Sequence, residues 1–293
     1  MIRLVYPTDP NFGDAMSPLI VEKLSGQKVV PSGMWNADMM AVGSVFYRGD
    51  FIMGDLRGPD RCRYIKALFH GANARISQPV KVWGSGFLQY PPFKKPFFKR
   101  RIKVCALRGK VTRGLLDGFG LTNSSDEIPY GDPGLLFAKL FDITLAPKYD
   151  WGIIPHKYDI RIGYRARIEQ TFAKCGVKVH LIDSRNDPVS VVSEIARCRR
   201  LISSSLHGLI VADSLGIPNL HVGFSTLEFP RTDFELKFRD YYSAYNEEMP
   251  PIVPGEDFLA CPMKYLASNL YRRPAEGIVA NIQKRLLASF PSE

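Results

Sequence analysis

The chain has 293 residues, of which 45% are hydrophobic and 23% charged, with a formal net charge of +10. This is enough apolar material for one large or two medium globular domains, and no apolar run approaches the roughly 20 residues of a membrane helix. The positive charge points to anionic partners: phosphorylated substrates, nucleic acid or an acidic membrane surface. The five cysteines (Cys62, Cys105, Cys175, Cys198 and Cys261) form no Cys-x-x-Cys pair and no cluster with histidine. They read as reduced thiols of a cytoplasmic protein, with no metal site argued by them.

Residues 2 to 6 are a short apolar run that stops at Pro7, the pattern of a buried strand. A turn and a helix follow, ending at Gly26, with Asp14 or Ser17 near the cap and Pro18 suited to the first helical position. Asn11, Gly13 and Asp14 thus lie on a strand-to-helix loop, where open α/β sheets place ligands; Asp14 reads equally as a plain cap. Strand-then-glycine-turn patterns recur at 38–46 and 80–86. Gly43, Gly84 and Gly86 there allow a tight turn or a close backbone approach to a ligand. No third glycine and no helix follows, so this is not a dinucleotide fingerprint. Residues 88–103 are basic, aromatic and too rich in proline for a continuous helix. They read either as a solvated loop or as a contact with an anionic membrane surface or a diphosphate-linked acceptor. No nucleic-acid-binding motif accompanies them.

A strand at 102–108 ends on Arg108, and a helix to about Leu116 carries Thr112 and Arg113 in its first turns. An arginine at the mouth of a sheet can grip phosphate or carboxylate with both arms, or can form an ordinary salt bridge. Tyr130 to Leu136 reads as a loop into a short helix, with Asp132 at the cap and Pro133 after it. Periodicity lapses near 145–150, which places a domain junction there. A new strand from Trp151 ends at Pro155-His156, leaving His156 to face either an inter-domain cleft or solvent. A helix at 164–175, a strand at 177–183 and a helix from Asp187 to Cys198 then alternate, the pattern of a second parallel βα domain.

The densest pattern spans Leu201 to Pro218: a strand, a serine-rich turn, a helix from about Leu206 to Leu215, and a Gly216-Ile-Pro exit into a strand at 219–223. Ser204 or Ser205 suits the N-cap. Free N–H groups at such a helix start can receive an anion. His207, in the first turn, suits acid–base work or a hydrogen bond to that anion, or simple packing. Residues 225–247 are rich in charge and aromatics, as a surface helix hairpin would be. Residues 274–290 form an amphipathic helix with Pro274 at its start and Ile278, Val279, Ile282, Leu286, Leu287 and Phe290 on one stripe. The organisation expected is one Rossmann-like α/β domain at 1–148, a second at 149–270, and a terminal helix at 271–293 packing back across both.

The stretch from Ser203 to Pro218 resembles the signature of the polysaccharide pyruvyltransferase family. Asn11-Phe-Gly-Asp14, Leu107-Arg-Gly-Lys-Val-Thr-Arg113 with Leu115-Leu116, and Gly131-Asp-Pro-Gly134 fit the same family in order, so the similarity spans roughly residues 2 to 224. The resemblance implies two domains facing a central cleft, as in two-domain GT-B-like glycosyltransferases. It implies transfer of pyruvate from phosphoenolpyruvate to two sugar hydroxyls as a cyclic ketal, with no metal and no further cofactor. In that scheme His207 and Asp14 are the catalytic candidates. Arg108, Asn11, Ser204, Ser205, Arg113, His156 and Asp132 are the substrate-binding ones, and Lys237 to Tyr242 resembles a segment lining the acceptor site. Many members carry arginine where this chain has Ser205, so another cation or backbone N–H groups must serve there. The implied partners are phosphoenolpyruvate and a saccharide, whether lipid-linked, nucleotide-linked or polymeric, at the cytoplasmic face of a bacterial membrane, with no nucleic acid. Two rival readings are a glycosyltransferase using a nucleotide-sugar and a non-catalytic saccharide-binding protein on the same fold.

Overall fold

The apolar run after Met1 forms β1 (Ile2–Val5), and the strand–helix alternation read from the sequence continues from it. The computed structural model of the chain describes residues 1–34, 36–47, 52–53, 78–91, 97–98, 101–123, 125–225 and 235–291. In the first half β1 is followed by α1 (Phe12–Ser25), β2 (Val29–Pro31), β3 (Met39–Met40), β4 (Ile52–Met53), β5 (Val80–Ser85), β6 (Phe97–Phe98), β7 (Ile102–Leu107) and α2 (Lys110–Gly118). A 3-10 turn, Pro133–Leu136, runs on into α3 (Phe137–Leu140). The second half holds β8 (Tyr149–Ile154), α4 (Lys157–Arg161), α5 (Tyr164–Cys175), β9 (His180–Leu181), α6 (Pro188–Ile195), β10 (Cys198–Ser203) and α7 (Leu206–Ser214). It closes with β11 (Asn219–Gly223), α8 (Leu236–Ser243), β12 (Val253–Pro254), α9 (Gly255–Ala260), α10 (Pro262–Leu266) and α11 (Glu276–Ala288).

Two five-stranded sheets result, in the orders β2-β1-β3-β5-β7 and β12-β11-β10-β8-β9. Every neighbouring pair in both is parallel. β4 and β6 pair antiparallel as a separate ribbon. In the first sheet α1 leads from β1 to β2 on one side, and the chain then passes to β3 on the other. In the second, α4 and α5 lead from β8 to β9 on one side, and α6 leads to β10 on the other. Each sheet therefore reverses its strand order at its first strand. Open α/β sheets offer a crevice at that reversal, beyond the carboxyl ends of the strands.

Local structure corrects several boundaries. α1 starts at Phe12, not at Pro18: Asn11 is the N-cap, its side chain accepting from Gly13 N, and Pro18 lies inside the helix. The lost backbone bond is tolerated because the helix buries Phe12, Met16 and Ile20 completely, each worth about 1.5–3 kcal/mol. Ser205 is the N-cap of α7 but makes no side-chain cap bond. Ser203 Oγ instead accepts from Ser205 N at 2.9 Å. The strand expected at 177–183 is reduced to His180–Leu181. Of the expected surface hairpin at 225–247, residues 226–234 lie outside the described residues. The remainder is α8, which buries Leu236, Phe238, Asp240, Tyr241 and Tyr242. Of the expected membrane-contact stretch at 88–103, residues 92–96 and 99–100 also lie outside the described residues.

One apolar cluster runs through both sheets, joining Leu4, Trp83 and Ala106 to Ile154, Leu201 and α7. α7 is buried from Leu206 to Asp213, which accounts for its hydrophobic character on all sides. α11 packs on the first sheet: Trp83 Nε1 donates to the Leu286 carbonyl at 3.0 Å and Gln283 Nε2 to that of Leu135 at 2.7 Å. Among the described residues no helix is long and apolar enough to cross a membrane.

Gly84 has φ +77° and a Cβ there would lie 2.2 Å from Pro133 Cδ. Gly84→Ala is expected to lower unfolding free energy by roughly 2–4 kcal/mol. Gly114 lies within α2 and a Cβ there meets nothing within 4 Å. Gly114→Ala should be neutral or stabilising by up to about 1 kcal/mol. Urea denaturation of the two variants checks the contrast.

Candidate active site

The two strand-order reversals face each other. After β1 come Asn11 to Asp14, and after β3 comes Gly43. After β8 comes His156, and after β10 come Ser204 to His207. A Cβ on Gly13 would sit 2.0 Å from His207 Nδ1, so only glycine lets α1 approach the imidazole this closely. The Phe12 ring meets the His207 ring edge-on at 6.3 Å. Phe12 N donates to the Ser184 carbonyl at 2.9 Å, a second tie between the sheets. Asn11 Nδ2 donates to Asp14 Oδ2 at 2.8 Å, which orients that carboxylate while Asn11 also caps α1. A Cβ on Gly43 would lie 3.4 Å from Asp14 Oδ1, so the loops after β1 and β3 converge on this group.

From the second sheet, His156 caps α4 in a capping box with Asp159. Its N–H donates both to Asp159 Oδ2 at 3.0 Å and to Ser204 Oγ at 2.8 Å. Ser204 Oγ in turn donates to Asp159 Oδ2. Ser204 is thereby spent on bracing β8 against β10, and Ser205 is only 2% exposed. His207 Nε2 is buried and has no hydrogen-bond partner among the described residues, and the same holds for His221 Nδ1. His221 lies on β11 and stacks on Phe238 at 4.0 Å.

Of the two readings of Arg108, an anion grip or an ordinary salt bridge, the structure shows the salt bridge. Arg108 is wholly buried. Its Nε donates to Asp240 Oδ2 at 3.0 Å, Nη1 to Ser44 Oγ at 2.6 Å and Nη2 to the Phe87 carbonyl at 2.5 Å. Asp240 belongs to α8 and also accepts from Thr112 N at 2.7 Å and Thr112 Oγ1 at 2.6 Å, so it caps α2 from another element. Gly86 makes room for the pair: a Cβ there would lie 2.5 Å from Asp240 Oδ2. Arg113 is not brought to the site. Its Nε donates to Asp117 Oδ1 at 2.8 Å and its Nη groups to the carbonyls of Asn123 and Asp126. The i,i+4 spacing to Asp117 explains this turn away from the sheet mouth. Asp132 caps the 3-10 turn through Gly134 N, and its Oδ2 is buried without a partner among the described residues.

The positive field of this region sets the protonation states. Burial, then the charges of Lys237 and Arg108, pull His207 down to about 3. Burial, then Lys237, pulls His221 to about 3 as well. Burial, followed by Lys237, Lys157 and His207, holds His156 well below its ordinary value. Three neutral imidazoles therefore share the space at physiological pH. Burial pushes Asp132 up to about 6, with Arg108 opposing and Asp240 and Asp14 adding to the rise. Burial also raises Asp159, against its bonds from Ser204 and His156 N. Burial and Arg108 pull Lys237 down to about 8, with Asp14 and Asp159 opposing. Lys237, Asp240, Asp159 and His221 were not singled out as site residues by sequence. Lys237 was visible only as part of the Lys237 to Tyr242 resemblance. Among the described residues no group of three His, Cys, Asp or Glu side chains is arranged to hold a metal ion.

Two parallel sheets that bring cations, carboxylates and neutral imidazoles together between their reversal points define an α/β protein with a candidate anion site at the sheet junction. A model of the polysaccharide pyruvyl transferase family matches residues 11–226, and the chain belongs to that family. An uncharacterised protein of Acanthamoeba polyphaga mimivirus is 30% identical over 248 residues, covering 83% of this chain and 74% of its own length. Among solved structures, the chain is similar to an uncharacterised protein of Klebsiella pneumoniae at 12% identity and a TM-score of 0.40, over 84% of this chain and 87% of that one. It is also similar to the spinosyn rhamnosyltransferase SpnG at 14% identity and a TM-score of 0.42, over 99% and 97% of the two chains.

Two outcomes follow from the buried charges. Asp240→Ala leaves Arg108 buried without its counter-charge and is expected to cost roughly 3–5 kcal/mol of stability. Asp150→Ala, which removes the exposed Arg199–Asp150 pair, should cost at most about 1 kcal/mol; chemical denaturation compares them. His207 takes up a proton near pH 6.5 when unfolded and only near 3 when folded. Its share of stability is therefore fully present above about pH 6.5 and is lost as pH falls toward 3. Asp132 works in the opposite sense, favouring the fold below about 3.8 and losing that share as pH rises through about 6. His207→Gln should flatten the acid-side fall in urea midpoint between pH 6.5 and about 4; an unchanged slope would contradict the assignment.

Proposed function

We propose that the protein transfers the pyruvyl unit of phosphoenolpyruvate to two hydroxyls of a saccharide, forming a cyclic ketal and releasing inorganic phosphate. The observation that carries this reading is the placement of a neutral His207, its Nε2 unpartnered among the described residues, against the Asn11–Asp14 loop, in the field of Lys237 and Arg108. The family supports pyruvyl transfer to polysaccharide. The donor, the ketal and the residue roles are the finer part of the proposal.

The reaction needs a proton on the donor methylene, attack by one hydroxyl on the adjacent carbon, loss of phosphate, and attack by the second hydroxyl. One hydroxyl proton ends on the new methyl group and the other leaves with phosphate or a base. The same cations that depress His207 attract the donor's phosphate and carboxylate. Once those anions are bound, the field at His207 is offset and its proton affinity rises, which suits an acid that protonates the methylene and then a base for the hydroxyl. Asp14, held by Asn11 Nδ2, is the carboxylate that orients or deprotonates a sugar hydroxyl. Asn11, Ser204 and His156 hold the loops that present these groups, and Asp132 and Arg108 sit behind them.

Phosphate release from phosphoenolpyruvate, measured across free and lipid-linked galactosides, glucosides and mannosides, tests the proposal. Sugar-dependent release is expected, with a product mass gain matching a pyruvate ketal. His207→Gln should reduce the rate by roughly a hundred-fold or more. Transfer from a nucleotide-sugar, with no turnover of phosphoenolpyruvate, would replace this reading with the glycosyltransferase one.

A further inference from the structure

Lys237 lies on α8, three residues before Asp240. Among the described residues its Nζ makes no salt bridge, and it lies 5.0 Å from the centroid of the neighbouring Phe238 ring. Its charge is nonetheless felt by groups from several elements: His207 at the start of α7, His156 after β8, His221 on β11, Asp159 and Lys157 on α4, Asp14 on α1 and Arg108 after β7. Three of these are neutral imidazoles, two are cations, and the two carboxylates each have other partners. Asp14 accepts from Asn11, and Asp159 from Ser204 and His156 N. Beside this ammonium, His207 Nε2 and His221 Nδ1 are buried and unpartnered among the described residues, with His207 8% and His221 5% exposed. α7 starts there without a side-chain cap. Among the described residues donors and positive charge thus exceed acceptors in one place, and an anion with several oxygens satisfies that imbalance.

We infer that Lys237 is the residue that directly holds the phosphate or carboxylate of the donor, between the loops of the two sheets. Lys237 and Asp240 are three residues apart on α8 and so share a helix face. Asp240 is fixed to Arg108 and Thr112 of the first half. The anchored carboxylate sets the rotation of α8, and the lysine one turn earlier lies over the Phe238 ring, which stacks on His221. An ammonium pulled down to about 8 by burial and by Arg108 regains its ordinary proton affinity when an anion binds. Binding should therefore weaken as pH rises above about 8, because the free protein then has to take up a proton to bind. The imidazoles stay neutral across this range, so they add no slope.

The inference rests on the donor reading above, and the test separates the two. Calorimetric binding of phosphoenolpyruvate, inorganic phosphate and uridine diphosphate would be measured on the full chain. The variants are Lys237→Met, Lys237→Arg and, as a charge-matched change on an exposed residue, Lys139→Met. Expected are roughly thirty-fold or greater weakening in Lys237→Met, a change under about three-fold in Lys139→Met, and retained binding in Lys237→Arg with the pH dependence near 8 removed. Lys237→Arg keeps the charge and guards against a variant that merely misfolds. Binding of phosphoenolpyruvate unchanged in Lys237→Met overturns the role of the lysine and leaves the donor reading standing. Binding of uridine diphosphate alone, lost in Lys237→Met, keeps the lysine as anion anchor and overturns the donor reading. Failure of all three anions to bind the parent protein overturns both.

Discussion

The Arg108–Asp240 pair is the constraint on which the rest of the site depends. Both side chains are fully buried, at 3.0 Å from Nε to Oδ2. A lone charge there would be strongly unfavourable, so the two must arrive together. Arg108 follows the fifth strand of the first sheet, and Asp240 lies on a helix that follows the fourth strand in order of the second. Their contact makes the position of α8 a property of the whole chain. Asp240 also takes the N–H and hydroxyl of Thr112, so the same carboxylate closes the start of α2. Glycine at 86 and 109 is what lets α8 come this near. At Gly109 a Cβ would lie 1.7 Å from the Asp240 carbonyl oxygen.

That anchoring makes an ordinary structural pair part of a buried, positive junction. Arg108 contributes charge through space without reaching the cleft. Lys237 adds to the same field. The imidazoles respond by staying neutral, since a third positive charge in a buried place is disfavoured twice, by desolvation and by repulsion. A neutral imidazole can accept a proton only after something offsets the cations. Under the proposed function, ligand binding and acid–base competence are coupled through this field.

Much of this was legible from residue order. Parallel βα alternation follows from short apolar runs separated by capped helices. Asp132-Pro133 and Asp187-Pro188 stand at the N-cap and first turn, as their chemistry dictates. The motif residues fall after strands because α/β chains put their loops there. Less legible was what each motif residue touches. Arg108 and Arg113 lie five residues apart and look alike as anion binders. One is buried against a carboxylate 132 positions away, and the other is turned back on Asp117. Nothing in the local sequence distinguishes a guanidinium that meets a ligand from one that meets a distant helix. Pro18 misled for a related reason. Its missing N–H suggests a helix start, yet the buried face of Phe12, Met16 and Ile20 outweighs one lost backbone bond.

The sequence by itself determined the local grammar: two sets of parallel βα units, the loops that carry Asn11, Asp14, His156 and His207, and the surplus of positive charge. These follow from periodicity, capping and composition, which act over a few residues. Only the tertiary structure decided that Gly13 and His207 meet, that Arg108 is spent on Asp240, and that the charge of Lys237 is felt by three imidazoles. Those outcomes depend on which distant surfaces pack together and on how much water is excluded when they do. Desolvation is a property of the assembled junction, and no window of neighbouring residues contains it.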